Sequence, residues 1–518
     1  MHLPSRLHAL VLVTTACGTP VVKPDTFARD VLEREPLPAR YLQRVGGGEI
    51  RVDLDPGWMG DVDPTANLVF ARVRPGLDAG VGEERTCLVL ACLPEQDRLV
   101  LLPLEARESA LDVLADGARR EQARARVASW NAGGAEPDAL EISIRAAVRD
   151  RLLGSPLPAP KHVFAVAANF PSHLRHDLAI DLDGEARAAL SSARPRVFLK
   201  HPPVEIEGYP RAPDLGIEGL RGPFDGLVYP ERIAVPADDP KAEPLEVPLR
   251  LDYEIEIGAV FGRALTPEDA RSATDQELLA AVAGYVLATD TKARNPQVVN
   301  RLRGLELDES PADASPYRPD DEDLARALGA WDAQTCVLWS YAASFGGFTA
   351  IGPFFVAAPA GGEFPSRALA SARSYGAQSE RGEPVPAGLE VGVPYLRQCS
   401  LATREPHADR MIWSIPDIVR SILAGDGILP WPQGSEPRIE VGDVVSLGTP
   451  GGVVVTSRSP AGLFFLRGLL FWWAPHDWHD AFFDPDAKLY LLNGDVVFYW
   501  AEGLGFQRQP VVKSEGAE

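Results

Sequence analysis

Basic residues are scarce relative to acidic ones. Lysine and arginine together number 51 against 73 aspartates and glutamates, a formal net charge of −22. A protein that tracks nucleic-acid phosphates needs a basic stripe, so this balance argues against nucleic acid as a partner. Cysteine is also sparse: Cys17, Cys87, Cys92, Cys336 and Cys399. None forms a Cys-x-x-Cys pair and no histidine stands at zinc-finger spacing from them, which argues against both a disulfide framework and a thiolate metal site. Long apolar runs are missing too. A hydrophobic content of 45% and a charged content of 24% suit a globular chain, and neither a disordered nor a membrane-spanning one. There is no internal repeat. Glycine and proline, in contrast, are plentiful. The 46 glycines and 47 prolines exceed the usual combined share of roughly 12%, which favours turns and short strands over long helices.

The chain divides into a leader, two unequal units and a tail. Residues 1–40 read as the leader. Within it Arg6 precedes a short apolar run at 9–13, and then Thr14-Thr15-Ala16-Cys17. This has the shape of a bacterial lipoprotein signal. Two readings stand: a leader on a cytoplasmic protein, which is favoured, or export with a lipid anchor on Cys17. Residues 41–155 form a small β-rich N-terminal domain, with β-rich runs at 67–74 and 87–92 and helical composition at 107–128 and 138–153. Prolines at 156, 158 and 160 block helix and mark a linker. Residues 156–512 form the larger domain and 513–518 the tail. The larger domain opens with an expected strand at 163–167. Thr266-Pro-Glu-Asp269 reads as a helix start running to about Val282, with a capping threonine, proline in the first turn and acids at the positive dipole end. Ser414-Ile-Pro-Asp417 is a second start. Ile415, Ile418, Val419, Ile422 and Leu423 follow at helical spacing, and Gly425 stops the helix.

The most informative segment is Leu249-Arg-Leu-Asp-Tyr-Glu-Ile-Glu-Ile257. It alternates strictly. Leu249, Leu251, Tyr253, Ile255 and Ile257 face one way, and Asp252, Glu254 and Glu256 the other. Alternate side chains lie roughly 7 Å apart along a strand, from which two glutamates can converge on one hard cation. The same pattern also fits a solvated edge face. A later stretch favours a site. Gly284-Tyr-Val-Leu-Ala-Thr-Asp290 is an apolar run that ends in a carboxylate, followed at once by Thr291-Lys-Ala-Arg-Asn-Pro-Gln297. Arg294 offers a planar fork for a substrate carboxylate, and Gln297 an amide that donates or accepts.

At this point the sequence resembles the fumarylacetoacetate hydrolase (fumarylacetoacetase) superfamily, through a collinear series of motifs beyond residue 155. Val163-Phe-Ala-Val-Ala-Ala-Asn-Phe-Pro-Ser-His173 is similar to its opening strand and active-site histidine. Val197-Phe-Leu-Lys200-His-Pro-Pro203 is similar to its Phe-x-Lys-Pro segment, and Asp252 to Ile257 to its paired-glutamate strand. Asp290, Arg294 and Gln297 match an Asp-x-x-x-Arg-x-x-Gln segment. Met411 to Pro416 looks like its helix start, Val441 to Pro450 its Gly-Thr-Pro turn, and Gly494 to Gly505 its last strands. The resemblance implies an α+β, strand-dominated fold, a mixed β-sandwich or roll catalytic domain preceded by a small β-rich domain, usually as a homodimer. It implies Mg²⁺, Mn²⁺ or Ca²⁺ held by Glu254, Glu256 and Asp290. His173, with His176, would be the proton-transfer group, and Arg294, Gln297, Lys200 and Thr449 would orient substrate. The substrates implied are 2-oxo acids and 1,3-diketo acids, through C–C hydrolysis, decarboxylation or isomerisation.

The chain departs from that pattern at several places. His176 stands where the short-chain branch has a glutamate, and Ala343 where the family has a lysine that Lys200 or Lys292 would have to replace. Val166 stands where the fumarylacetoacetase branch has a metal-binding aspartate, and His407-Ala408 replaces an Asn-Thr pair. Two readings follow: a metal-dependent hydrolase or lyase with altered acid–base groups, or a catalytically weak member that keeps fold and cation as a binding or assembly protein. An insertion at about 457–490 carries Phe464, Phe465, Phe471, Trp472, Trp473, Trp478, Phe482 and Phe483. Leu463 to Trp473 is too short to span a bilayer. Core or dimer-interface packing, a lid or apolar substrate wall, and a membrane-contacting loop beside a lipidated Cys17 are its three readings. His476-Asp-Trp-His-Asp480 lacks supporting ligands elsewhere.

Overall fold

The structure is a computed structural model. It describes residues 42–44, 50–52, 62–76, 83–157, 160–167, 169–170, 191–192, 194–200, 220–229, 232–235, 245–248, 251–293, 340–345, 347–359, 370–375, 411–425, 436–449, 491, 496–501 and 503–513. The leader, His173, His176, Arg294, Gln297, His407 and the aromatic insertion lie outside these residues.

The front of the chain supplies β1 (Leu42–Arg44), β2 (Ile50–Val52), β3 (Val69–Val73), β4 (Arg85–Leu93), β5 (Arg98–Pro103), β6 (Leu140–Ser143) and β7 (Leu153–Gly154). Among the described residues there, the α-helices are α1 (Ala110–Ala115), α2 (Gly117–Asn131) and α3 (Ile144–Arg149). The helical stretch expected at 107–128 is therefore two helices. Asp116 separates them, because its carboxylate accepts the Ala118 and Arg119 N–H groups at 2.8 and 3.2 Å and starts α2 anew. The stretch at 138–153, expected to contain a helix, holds α3 between two strands. It begins as β6, paired with β5, and turns into α3 where the Ser143 hydroxyl accepts the Ala146 N–H. It ends in β7, which pairs with β3.

Beyond residue 160 come β8 (Val163–Ala167), β9 (Arg196–Lys200), β10 (Leu227–Tyr229), β11 (Arg232–Val235), β12 (Leu245–Pro248), β13 (Leu251–Asp252) and β14 (Ile255–Phe261). The helices α4 (Pro267–Ser272) and α5 (Asp275–Leu279) lead to β15 (Val282–Thr289) and β16 (Lys292–Ala293). Then follow β17 (Ile351–Ala357), β18 (Ala370–Tyr375), α6 (Ile415–Ala424), β19 (Val444–Ser446), β20 (Val496–Ala501) and β21 (Gly505–Lys513). The single helix expected from Thr266 to Val282 is broken. Ala273 is extended, Thr274 opens a second capping box with Glu277, and Val282 already belongs to a strand. The helix expected at Ser414 forms as read, with reciprocal Ser414–Asp417 capping and a left-handed Gly425 at its end.

The fold is α+β and strand-dominated. An 11-stranded mixed sheet runs β6-β5-β4-β3-β17-β15-β14-β19-β8-β9, with β7 beside β3. β3 pairs antiparallel with β17, so front and later strands share one sheet. A second, four-stranded sheet is ordered β10-β21-β20-β18. The central strands are buried on both faces. On one face Ile255, Ile257, Ala259 and Phe261 of β14 meet Ile415, Ile418, Val419 and Ile422 of α6. On the other, Val260, Val286, Val444 and Phe355 meet Phe70, Leu88 and the α1 and α2 residues Ala110, Ala123 and Val127. Each such aliphatic side chain contributes about 1.5–3 kcal/mol on burial. Gln507 of β21 ties the two sheets together, its amide donating to the Leu287 and Gly352 carbonyls at 3.0 and 2.9 Å. Among the described residues no helix is long and apolar enough to cross a membrane.

Candidate metal centre

β14 is flanked by β15 on one side and β19 on the other, both antiparallel. Period-two alternation sends Ile255 and Ile257 into the α6 core and leaves Glu256 facing the opposite way. In the β14–β15 register Ile255 stands opposite Thr289. β15 therefore ends beside Glu254, and the Asp290 N–H donates to the Glu254 carbonyl at 3.0 Å. The end of β15 is clamped from β17 as well. The Thr289 N–H donates to the Ala350 carbonyl, and the Thr289 hydroxyl accepts the Ala350 N–H at 2.9 Å.

This register brings three carboxylates together. One ligand atom each from Glu254, Glu256 and Asp290 lies within 4.8 Å of the others, and all three residues are buried. Glu256 and Asp290 are each 1% exposed, so the solvated edge face that the alternation also allowed does not occur here. Burial pushes the Glu256 carboxyl up to about 8, with repulsion from Asp290 and Glu254 adding to it, while Lys292 and a hydrogen bond from Ser446 pull the other way. Its Oε2 is buried without a hydrogen-bond partner among the described residues.

Two lysines answer the acids. Lys200, at the end of β9, reaches Asp290 Oδ1 at 2.7 Å, and Lys292, on β16, reaches Oδ2 at 2.6 Å. Burial would raise the Asp290 carboxyl, but the two ammonium groups outweigh it and hold it below the usual range. Lys200 is lowered, first by burial and further by Lys292, against the pull of Asp290. The Lys292 ammonium also sits 4.1 Å from the centre of the Phe198 ring.

Thr449 is buried, its hydroxyl without a hydrogen-bond partner among the described residues. Its turn is pinned by Asn169, whose amide donates to the Leu447 carbonyl at 2.8 Å and whose side-chain oxygen accepts the Trp413 N–H. Gly448 has φ +93, and a Cβ there would lie 2.9 Å from the Val166 carbonyl oxygen, so the turn requires glycine. Ala343 packs with Ala165, Ala167 and Phe198, and Val166 lies in the main core. Sequence reasoning missed Ser446 as a partner of Glu256. The signal was its place two residues before Gly448, on a strand that pairs Ser446 with Gly258 of β14. Burial pushes the Cys87 and Cys92 thiols up to about 12, so neither supplies a thiolate.

Three clustered carboxylates are the donor set of a hard divalent cation, which takes oxygen ligands at about 2.0–2.6 Å. The residues present fit such an ion: the Glu256 oxygen lacks a partner, and mutual repulsion of the acids is what a dication would relieve.

Similar folds occur among solved structures. A probable 2-hydroxyhepta-2,4-diene-1,7-dioate isomerase from Mycobacterium abscessus is 17% identical, with 87% of this chain and 100% of that one covered and a TM-score of 0.41. A fumarylacetoacetate hydrolase from Exiguobacterium antarcticum is 18% identical, covering 86% and 100%, with a TM-score of 0.39. A maleylpyruvate hydrolase from Sphingobium sp. SYK-6, solved with manganese(II) and pyruvate, is 14% identical, covering 86% and 100%, with a TM-score of 0.40. No curated protein matches the chain. Residues 163–512 match the family described as fumarylacetoacetate (FAA) hydrolase C-terminal. That span runs from the first residue of β8 to within β21 and takes in the whole acidic cluster, and the chain belongs to the fumarylacetoacetate hydrolase family.

Proposed function

We propose that the protein is a divalent-metal-dependent enzyme acting on a small 2-oxo or 1,3-diketo acid, by acylpyruvate-type C–C hydrolysis or by decarboxylation or isomerisation. The observation that carries the reading is the buried triad of Glu254, Glu256 and Asp290 with an unpartnered Glu256 oxygen. These three residues would hold Mg²⁺, Mn²⁺ or Ca²⁺. When bound, the cation supplies positive charge for the substrate oxygen that turns negative as the bond breaks. His173, paired with His176, takes the proton from water or from the substrate carbon. Arg294 grips the substrate carboxylate through its planar fork, while Gln297 and Thr449 offer hydrogen bonds. Lys200, 2.7 Å from Asp290, joins them in orienting the substrate. A homodimer and a cytoplasmic location go with this reading; membrane contact through Cys17 or the 461–483 loop is its alternative.

The test is a screen of acylpyruvates and oxaloacetate with Mg²⁺ or Mn²⁺, with Glu254→Ala as control. Turnover that Glu254→Ala abolishes supports the reading. One observation favours a second reading, a catalytically weak binding protein: Ala343 leaves a small apolar side chain, packed on Phe198, where the resemblance calls for a lysine. Ion binding without turnover on any of these substrates would favour that reading.

A further inference from the structure

We propose that Lys292 is a built-in cation of the acidic triad, which a divalent ion must displace from Asp290. The protein then keeps its buried acids compensated without the ion and binds the ion in competition with its own side chain. The inference rests on the metal reading above. The Lys292 ammonium holds Asp290 Oδ2 at 2.6 Å, whereas Oδ1 lies 2.7 Å from Lys200 Nζ without a hydrogen bond among the described residues. A divalent ion needs its carboxylate oxygen at about 2.0–2.6 Å. It cannot take the Oδ2 position while Lys292 Nζ holds it, and on Oδ1 it would still face the Lys292 ammonium across the same carboxylate, where two positive centres inside a buried site repel strongly.

The two lysines are not equivalent. Lys200 is also tied to the backbone, donating to the Thr289 carbonyl at 3.3 Å. The further contact of Lys292 is of another kind, the Phe198 ring face 4.1 Å away. A ring face accepts an ammonium group without a fixed hydrogen-bond direction. It gives Lys292 a place to rest once Asp290 passes to the ion. Lys292 stands on the two-residue β16, paired only with β13 among the described residues. That is a slight anchorage, which lets the side chain shift without disturbing the main sheet.

The experiment is calorimetric titration of Mg²⁺ and Mn²⁺ into the metal-stripped full chain, for the wild type, Lys292→Met and Lys292→Gln, with thermal melts in parallel. Removing the competing charge should tighten binding by at least about tenfold in both variants. Without the ion both variants should melt below the wild type, and the ion should raise their melting temperature by more than it raises that of the wild type. A variant that folds only with the ion supports the proposal. Binding unchanged within twofold, or weakened, overturns it while leaving the metal reading intact. Failure of both variants to fold even with the ion also overturns it, since Lys292 would then be a structural prop. If no protein, wild type included, binds either ion, the metal reading falls and this inference with it.

Discussion

Glu256 is where metal-free stability and ion binding pull against each other. Without an ion its carboxyl is raised from 4.5 to about 8, chiefly by burial and then by Asp290 and Glu254. The native state therefore keeps a proton that the unfolded chain releases between those two values. Stability from this group is present below pH 4.5 and is lost as pH rises toward 8. At ~1.4 kcal/mol per tenfold change in proton affinity, the loss approaches ~4 kcal/mol near pH 8. Glu256→Gln keeps the size and one oxygen for Ser446 but cannot ionise. The metal-free variant should match the wild type near pH 4 and exceed it by ~4 kcal/mol near pH 8. Guanidinium unfolding of both proteins, followed by tryptophan fluorescence from pH 4 to 9, measures this as the difference between the two curves. Saturating Mn²⁺ should reverse the order. The ion binds only the carboxylate, so it should stabilise the wild type increasingly with pH and the variant little. Parallel metal-free curves would refute the argument, because they would mean that Glu256 is not a buried proton carrier. Equal stabilisation of both proteins by Mn²⁺ would refute its role as a ligand.

Two further substitutions probe the scaffold that sets the triad's register. Gln507→Leu removes the amide that reaches the Leu287 and Gly352 carbonyls and should cost about 2–3 kcal/mol in thermal or denaturant unfolding. Little change would show that those carbonyls need no side-chain donor. Gly284→Ala places a Cβ 2.3 Å from the Val356 carbonyl oxygen and 2.5 Å from Phe355 Cε2. It should destabilise by ~3 kcal/mol or more and weaken ion binding by displacing the strand that carries Asp290. A stable variant with normal ion affinity would show that β15 can move away from β17 without consequence.

The acidic strand shows what a sequence can and cannot say about a site. Alternation set Glu254 and Glu256 on one face with Asp252, and those two glutamates cluster with Asp290, which the alternation did not reach. It left open whether that face was wet. An edge strand with one solvated face and a central strand with a buried acidic site carry the same alternation over Tyr253 to Ile257. The deciding feature lies just beyond. From Ile257 the pattern stops alternating and becomes a continuous apolar run, Ile257-Gly-Ala-Val-Phe261. Such a run suits a strand covered on both faces, and β14 does sit between β15 and β19 with every residue buried. A strand sealed at one end cannot be solvated two residues earlier unless the sheet stops there, and β15 continues to Thr289, opposite Ile255. The lysine partners were less legible. Lys200 lies ninety residues before Asp290 in sequence and meets it only through the path of β8 and β9. Lys292 is two residues on in sequence, but strand alternation would set it beside Asp290 only if β15 ran on unbroken. β15 ends at Thr289 and β16 begins afresh at Lys292, paired with β13. That break turns Lys292 back onto the Asp290 carboxylate. The charge balance of the centre is therefore a property of where strands end, which composition and periodicity describe least well.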